Sequence, residues 1–263
     1  MQVPSVMFSD GAAYERLMGR WSQKVATGFL DWLAVPPGLD WLDVGCGNGA
    51  FTEVIQDIAE CRSLTGIDPS EAQIDYARHR KGVDQATFHV GDAQSLPFPD
   101  ATFDATVMGL VIVFIPDQPR AVSELARVTR PGGLCATYMW DLPGGGFPLT
   151  PLLREIAALG YTPPMPPGVA ASSRDGLEQL WREAGFDDVA TETFRITVSF
   201  EDFADFWQSS TAGAGPQAAL LKSMSEDERE RLRGNLQRTL PTNAEGRISY
   251  PGVANAVKGI RRT

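Results

Sequence analysis

From about residue 40 to 140 the chain alternates short apolar runs with amphipathic segments. WLDVG (41–45) reads as a strand, and FTEVIQDIAE (51–60) as a helix with Phe51, Val54, Ile55 and Ile58 on one face. SLTGID (63–68) is a second strand, and the Ser70/Gln73 pair starts a second helix in a capping-box pattern. ATFHVGD (86–92) predicts a third strand. FDATVMGLVIVF (103–114) is continuously apolar, as a strand covered on both faces is. Asp117 begins a helix over DQPRAVSELARVTR that Pro131 and Gly132 stop, and LCATYMW (134–140) is a fifth strand. Strands alternating with helices in this way predict a parallel, doubly wound sheet.

After Trp140 the pattern breaks. Residues 141–168 are dense in Pro and Gly, with one predicted helix at 150–159, and 141–172 reads as a loop insertion over the ligand-binding edge of a sheet. A helix follows at 174–185, then a strand at 188–200 and a helical block at 202–240. Phe203, Phe206 and Trp207 share one face at the start of that block. Ser225 and Glu228 form a capping box near its end, ahead of Leu232, Leu236 and Leu240 at i,i+4 spacing. The block is either packed core or a lid over the site. RISYPGVANAVKGI (247–260) predicts a final strand pair or a bent strand. The expected organisation is one domain over 1–263, with its ligand-binding core at about 38–141.

Composition narrows the class. With 43% hydrophobic and 21% charged residues the chain is an ordinary globular protein. A formal charge of −10 repels phosphate backbones, so nucleic acid is not an expected partner; RERLRGNLQR is the best basic patch and follows the acidic SEDE. Cys46, Cys61 and Cys135 form no CxxC pair and suggest no disulfide framework. The N-terminal stretch lacks the pattern of a signal peptide, and VMGLVIVFI is too short to span a bilayer, so a cytoplasmic enzyme is expected. His79 and His89 have no metal-ligand partner at useful spacing, and no metal is expected.

LDVGCGNGAF (42–51) carries the candidate chemistry. Gly45, Gly47 and Gly49 satisfy the dinucleotide pattern GxGxxG/A, with Asp68 at a fitting distance, which keeps a nucleotide-dependent oxidoreductase in view. Asp43 argues against a pyrophosphate at the helix N-terminus, because it would set a negative charge beside an anion. It suits a ligand that carries an amino group or a sulfonium.

Four stretches in order, LDVGCGNGAF, GIDPS (66–70), VGDAQSLPFPDATFD (90–104) and RPGG (130–133), resemble class I S-adenosylmethionine-dependent methyltransferases of the ubiquinone/menaquinone-biosynthesis group (methyltransferase type 11). YERLMGRWS (14–22) also resembles N-terminal segments of that group. The resemblance implies a three-layer α/β/α Rossmann-like fold: a seven-stranded mixed sheet of order 3-2-1-4-5-7-6, with a helical insertion before the last strand. It implies S-adenosylmethionine as cofactor, leaving as S-adenosylhomocysteine. Gly45, Cys46, Gly47 and Gly49 would pass close to its methionine part, with Asp43 near the amino group, directly or through water. Asp68 would accept from both ribose hydroxyls, and Pro69 and Ser70 would flank the adenine. Asp92 and Ala93 would read the adenine edge. Gly109, Leu110 and Val111 would line the cofactor, and Tyr14 and Arg20 would close over its carboxylate. Cys46 reads as a small filler rather than a nucleophile.

The acceptor side is less legible. Position at the carboxyl ends of the strands puts Phe114, Trp140 and Phe147 near the acceptor, joined by Phe206 and Trp207 if 202–240 folds over. Asp141 and Asp117 are the candidate general bases, Asp117 competing with a helix N-cap role. The function expected is methyl transfer to a small molecule, driven mainly by proximity and desolvation. The alternatives are an inactive cofactor-binding scaffold or regulator and a protein-modifying methyltransferase. The acceptor atom and oligomeric state stay open.

Overall fold

The computed structural model describes residues 20–211 and 216–263. Helix α1 (Arg20–Leu33) leads into β1 (Asp40–Val44), α2 (Ala50–Ile58), β2 (Ser63–Asp68), α3 (Glu71–Arg78) and β3 (Ala86–Val90). Next come β4 (Phe103–Gly109), α4 (Gln118–Val128), β5 (Thr129–Trp140), α5 (Thr150–Ala158), α6 (Arg174–Glu183) and β6 (Asp187–Phe200). Helices α7 (Phe203–Thr211), α8 (Pro216–Ser223) and α9 (Glu226–Thr239) precede β7 (Ile248–Ile260). The strands form one seven-stranded sheet in the order β3-β2-β1-β4-β5-β7-β6, as the family resemblance implies. β1 to β5 pair in parallel, and β7 runs antiparallel to β5 and β6. The strand order reverses between β1 and β4, and that reversal opens a crevice at the carboxyl ends.

Three elements differ from the sequence expectation. β4 stops at Gly109, and Ile112–Phe114 is a 3-10 turn. Leu110 breaks the strand by taking a left-handed backbone, φ 62°, a costly conformation for a side chain of its size. β5 begins before the predicted turn, and its pairing with β4 jumps from Thr129 opposite Phe103 to Leu134 opposite Ala105. The RPGG segment is thus a bulge within the strand. The last segment is a single long strand. Its Pro251 pairs only with β6, because β5 pairs with β7 from Ala254 onward, so the missing N–H falls where no second ladder needs it.

The main apolar core runs from Trp21 of α1 to Val257 of β7, and a smaller cluster of Cys46, Ile74, Ala77, Val83 and Phe88 packs α3 against β3. The block at 202–240 contributes Phe206, Leu221, Leu232, Leu236 and Leu240 to the main core. Phe206 is fully buried, 5.1 Å from the Phe200 ring in an edge-to-face contact. The Ser225–Glu228 capping box is formed, which fixes the start of α9. Phe203 and Trp207 lie half-buried, their rings 6.2 Å apart, and the Arg233 guanidinium sits 5.9 Å from the Trp207 ring.

The amino ends of the central strands are held by charge. Arg62 pairs with Asp40 (2.5 Å) and Asp104 (2.9 Å). Arg130 pairs with Asp104 (2.6 Å) and Asp40 (3.1 Å). The Arg62 hydrogen bonds, with help from Ser63 and Arg130, hold the Asp40 carboxyl well below the usual carboxylate range.

Two outcomes are expected. Leu232→Ala should destabilise the fold by about 2–5 kcal/mol, because it empties a fully enclosed site; a change near zero in denaturant unfolding would mean that α9 is not part of the core. Asp40 ionises more readily folded than unfolded, so its contribution is complete above about pH 4 and is lost as the pH falls below that. Asp40→Asn should therefore lower the melting temperature at pH 7, and the gap from wild type should narrow progressively below pH 4.

Candidate functional site

Three glycines shape the loop between β1 and α2. Gly45, Gly47 and Gly49 all take left-handed conformations, with φ of 74°, 51° and 81°. A side chain at Gly45 would strike Val111 at 2.6 Å, so the loop lies directly on the segment after β4. A side chain at Gly47 would meet nothing within 4 Å, so this residue faces open space. Such a surface lets a ligand approach the backbone closely. Gly109 sits against the Phe51 ring, where a Cβ would come within 2.7 Å. Val111 is half-buried over Gly45, and Leu110 is the strained residue between them.

The two acids of the site differ in their partners. Asp68 ends β2, and its carboxylate accepts from the Gly47 N–H (3.0 Å) and the Ser70 N–H (2.9 Å). Each oxygen keeps lone-pair capacity for a further donor. Burial pushes the Asp68 carboxyl up, while those two hydrogen bonds pull it down. Asp43 is wholly enclosed beneath the loop. Its Oδ2 accepts from Thr52 Oγ1 at 2.7 Å, and among the described residues its Oδ1 has no partner. Burial pushes the carboxyl up to about 7, the Thr52 hydrogen bond lowers it, and the Asp68 charge adds to the rise. A buried carboxylate oxygen without a donor costs free energy. A cationic donor placed at Oδ1 would remove that cost.

The neighbouring positions surround this pair. Ser70 caps α3, its Oγ accepting from Gln73 N at 3.4 Å, and Pro69 is exposed beside it. Asp92 is exposed just after β3, with Ala93 half-buried next to it. The Asp92 carboxylate accepts from the backbone N–H and the side-chain amide of Gln94. Gln94 also accepts from the Asp117 N–H at 3.0 Å, so it links the Asp92 turn to the start of α4. Cys46 is buried against Gly66. Burial pushes its thiol well above the usual range, and the Asp43 and Asp68 charges push it further, which fits a filler and not a nucleophile. Tyr14 lies outside the described residues, as does the side chain of Arg20.

A methyltransferase-domain family model matches residues 42–137. A demethylmenaquinone methyltransferase of Symbiobacterium thermophilum is 36% identical over 173 residues, covering 57% of this chain and 69% of that protein. The chain belongs to the S-adenosylmethionine-dependent methyltransferase family. An O-methyltransferase of Penicillium expansum is 35% identical over 163 residues, covering 60% of this chain and 55% of its own length. Among the curated relatives first in similarity, the match spans 35% to 69% of their length. In fold, phosphoethanolamine N-methyltransferase 2 of Haemonchus contortus, solved with S-adenosyl-L-methionine, superposes with a TM-score of 0.56 at 18% identity, covering 95% of this chain and 56% of that one.

Of the positions expected near an acceptor, Phe114 and Phe147 are half-buried after β4 and β5. Trp140 ends β5 with only 1% of its surface exposed, and its indole N–H has no partner among the described residues. Phe206 offers no surface to a ligand in this conformation, in contrast to the pocket role expected of it, because it fills the space against Phe200. Asp117 caps α4, accepting from Arg120 N at 3.0 Å. Asp141 accepts from Gly144 N at 2.9 Å, closing the turn after β5. His79 bonds the Asp75 carbonyl at the end of α3, and His89 is exposed on β3 beside Phe98. No group of three or more His, Cys, Asp or Glu side chains among the described residues could hold a metal, and no described helix is long and apolar enough to cross a membrane.

Sequence reasoning missed Thr52, Gln94 and Gln118. Gln118 donates to the Ile112 carbonyl (3.0 Å) and the Gly168 carbonyl (3.4 Å), pinning the Pro-rich segment onto the turn after β4. Thr52 had a weak signal, a hydroxyl in the first turn of the helix that follows the glycine loop. The burial of Cys46 gives a direct check: with Ellman's reagent at pH 7.5, Cys46 should stay unreacted in the folded protein and react after denaturation. Rapid native labelling of Cys46 would show that the glycine loop opens.

Proposed function

We propose that the protein binds S-adenosylmethionine across the glycine loop and transfers its methyl group to a small, partly apolar acceptor. The buried, unpartnered Oδ1 of Asp43 carries this reading. Beside it, Gly47 presents an open backbone, and Asp68 stands at the end of β2 with lone pairs to spare. A ribose diol satisfies Asp68 in either ligand class; Asp43 makes the distinction, since an ammonium satisfies it and a pyrophosphate does not.

When bound, the cofactor supplies a methyl group on a sulfonium, already activated toward a nucleophile. The chain's own part is to bind, orient and dry the site. Asp68 holds the ribose through two acceptor oxygens, and Asp92 and Ala93 read the adenine edge. The Leu110–Val111 segment fixes the methionine end against Gly45. Phe114 and Phe147 present ring surface to the acceptor, while Trp140 is enclosed like Phe206. Orientation of this kind is worth roughly 7–11 kcal/mol in favourable cases. Asp117 and Asp141 both spend a carboxylate oxygen on a backbone N–H, so proximity and desolvation carry more of the rate than either acid acting as a base.

The same engagement of Asp117 and Asp141 favours one second reading, a cofactor-binding regulator without turnover. Methyl-labelled S-adenosylmethionine incubated with a panel of phenolic, quinol and carboxylic acceptors separates the two: label should move to one acceptor class, whereas tight binding with no transfer to any class would support the regulator. Asp68→Ala should weaken S-adenosylhomocysteine binding on the order of 10²-fold, since hydrogen bonds to a charged group contribute about 1.5–3 kcal/mol each. Unchanged affinity in calorimetry would refute the ribose assignment.

A further inference from the structure

We propose that Thr52 is a positioning residue for Asp43, and that the Asp43 carboxyl gives up a proton as the cofactor's ammonium arrives. The inference rests on the methyltransferase reading above and extends it to the charge balance of binding.

The geometry makes Asp43 an unfinished pair. Both residues are enclosed, Asp43 at 1% and Thr52 at 0% exposure. Thr52 Oγ1 occupies Oδ2 at 2.7 Å and leaves Oδ1 as the free acceptor. The groups that bear on this carboxyl are Thr52 from α2, Asp68 from β2 and the Cys46 thiol from the glycine loop. From β4, the register partner is the apolar Val107. Among the described residues, the ionisable groups that act on it are thus all acids. In the free protein the carboxyl has desolvation and the charge of Asp68 against its ionisation and a single hydroxyl in favour; pushed up to about 7, it is mostly protonated at pH 6 and progressively ionised as the pH rises through 7.

An ammonium changes that balance. A free α-amino group titrates near 8 and is charged at pH 6. Placed at Oδ1, directly or through one water, it is the counter-charge that the site lacks. The Asp43 O–H bond then breaks and its proton passes to the buffer, while the ligand keeps its own charge. Thr52 contributes by fixing which oxygen is free and by stabilising the ionised form with its hydrogen bond. This would make cofactor affinity dependent on pH through a residue that the ammonium itself selects.

The test is calorimetric titration of the intact protein in two buffers of different ionisation enthalpy, at pH 6, 7 and 7.5. S-adenosylhomocysteine should release close to one proton at pH 6, and less as the pH rises through 7. 5′-Methylthioadenosine, which lacks the amino group, should bind without release. Thr52→Val should weaken S-adenosylhomocysteine binding and carry proton release to higher pH by about one unit, because the ionised carboxylate loses its donor. Thr52→Ser, which keeps the hydroxyl, should restore the wild-type profile. Asp43→Asn should abolish release. Binding without proton release at pH 6, equal release with 5′-methylthioadenosine, or a wild-type profile in Thr52→Val would each overturn the inference while leaving the methyltransferase reading in place. No S-adenosylhomocysteine binding by wild type would overturn the reading itself.

Discussion

The hydrogen bond from the Gly47 N–H to the Asp68 carboxylate joins the two parts on which the site depends. It fastens the loop after β1 to the end of β2, and with the Ser70 N–H it holds the carboxylate in one orientation. The left-handed glycines make the loop tight enough to reach it, and Gly45 must lack a side chain for Val111 to close over the loop. Moving Asp68 would therefore disturb the loop, the start of α3 and the ligand surface together. The parallel sheet beneath fixes the spacing, since β1 and β2 pair continuously from Asp40 to Val44.

The two ends of the same strands treat their acids in opposite ways. At the amino ends, Asp40 and Asp104 are paired with Arg62 and Arg130, which favours the charged carboxylates and fastens the strand starts. At the carboxyl ends, Asp43 is buried and Asp68 half-buried, and among the described residues they face hydroxyl and amide donors without an arginine. Burial without a counter-charge is costly, and the cost is tolerated where a cationic ligand relieves it. The two acids of β1 are thereby divided along its length, Asp40 fastening the strand start and Asp43 left, on the proposed reading, for the cofactor's ammonium.

The fold was legible in the alternation of apolar strands and amphipathic helices over 40–140, and the motif order implied the rest of the sheet. The boundaries that failed did so for local reasons. The apolar run at 103–114 continued past the point where Leu110 takes a left-handed backbone, which hydrophobicity does not report. The RPGG turn was absorbed as a bulge because β5 re-pairs with β4 on both sides of it. In the candidate site, the convergence of Asp43, the glycines and Asp68 was visible because their spacing is fixed by the loop. Thr52 was not, because its role depends on a helix turn bringing its hydroxyl back beneath the loop. The aromatic stripe at 203–207 was ambiguous in sequence, since core and pocket share one periodicity; packing divides it, enclosing Phe206 and leaving Trp207 half-buried under Arg233.

The central claim is that the site selects an ammonium-bearing adenosyl ligand over a pyrophosphate-bearing one. Parallel equilibrium titrations of the ligand-free protein with S-adenosylmethionine, S-adenosylhomocysteine and NAD test it most directly. The account predicts saturable binding of both sulfur compounds and none of NAD. Binding of NAD alone would contradict it, and would mean that the unpaired Asp43 beneath the glycine loop tolerates an anion after all.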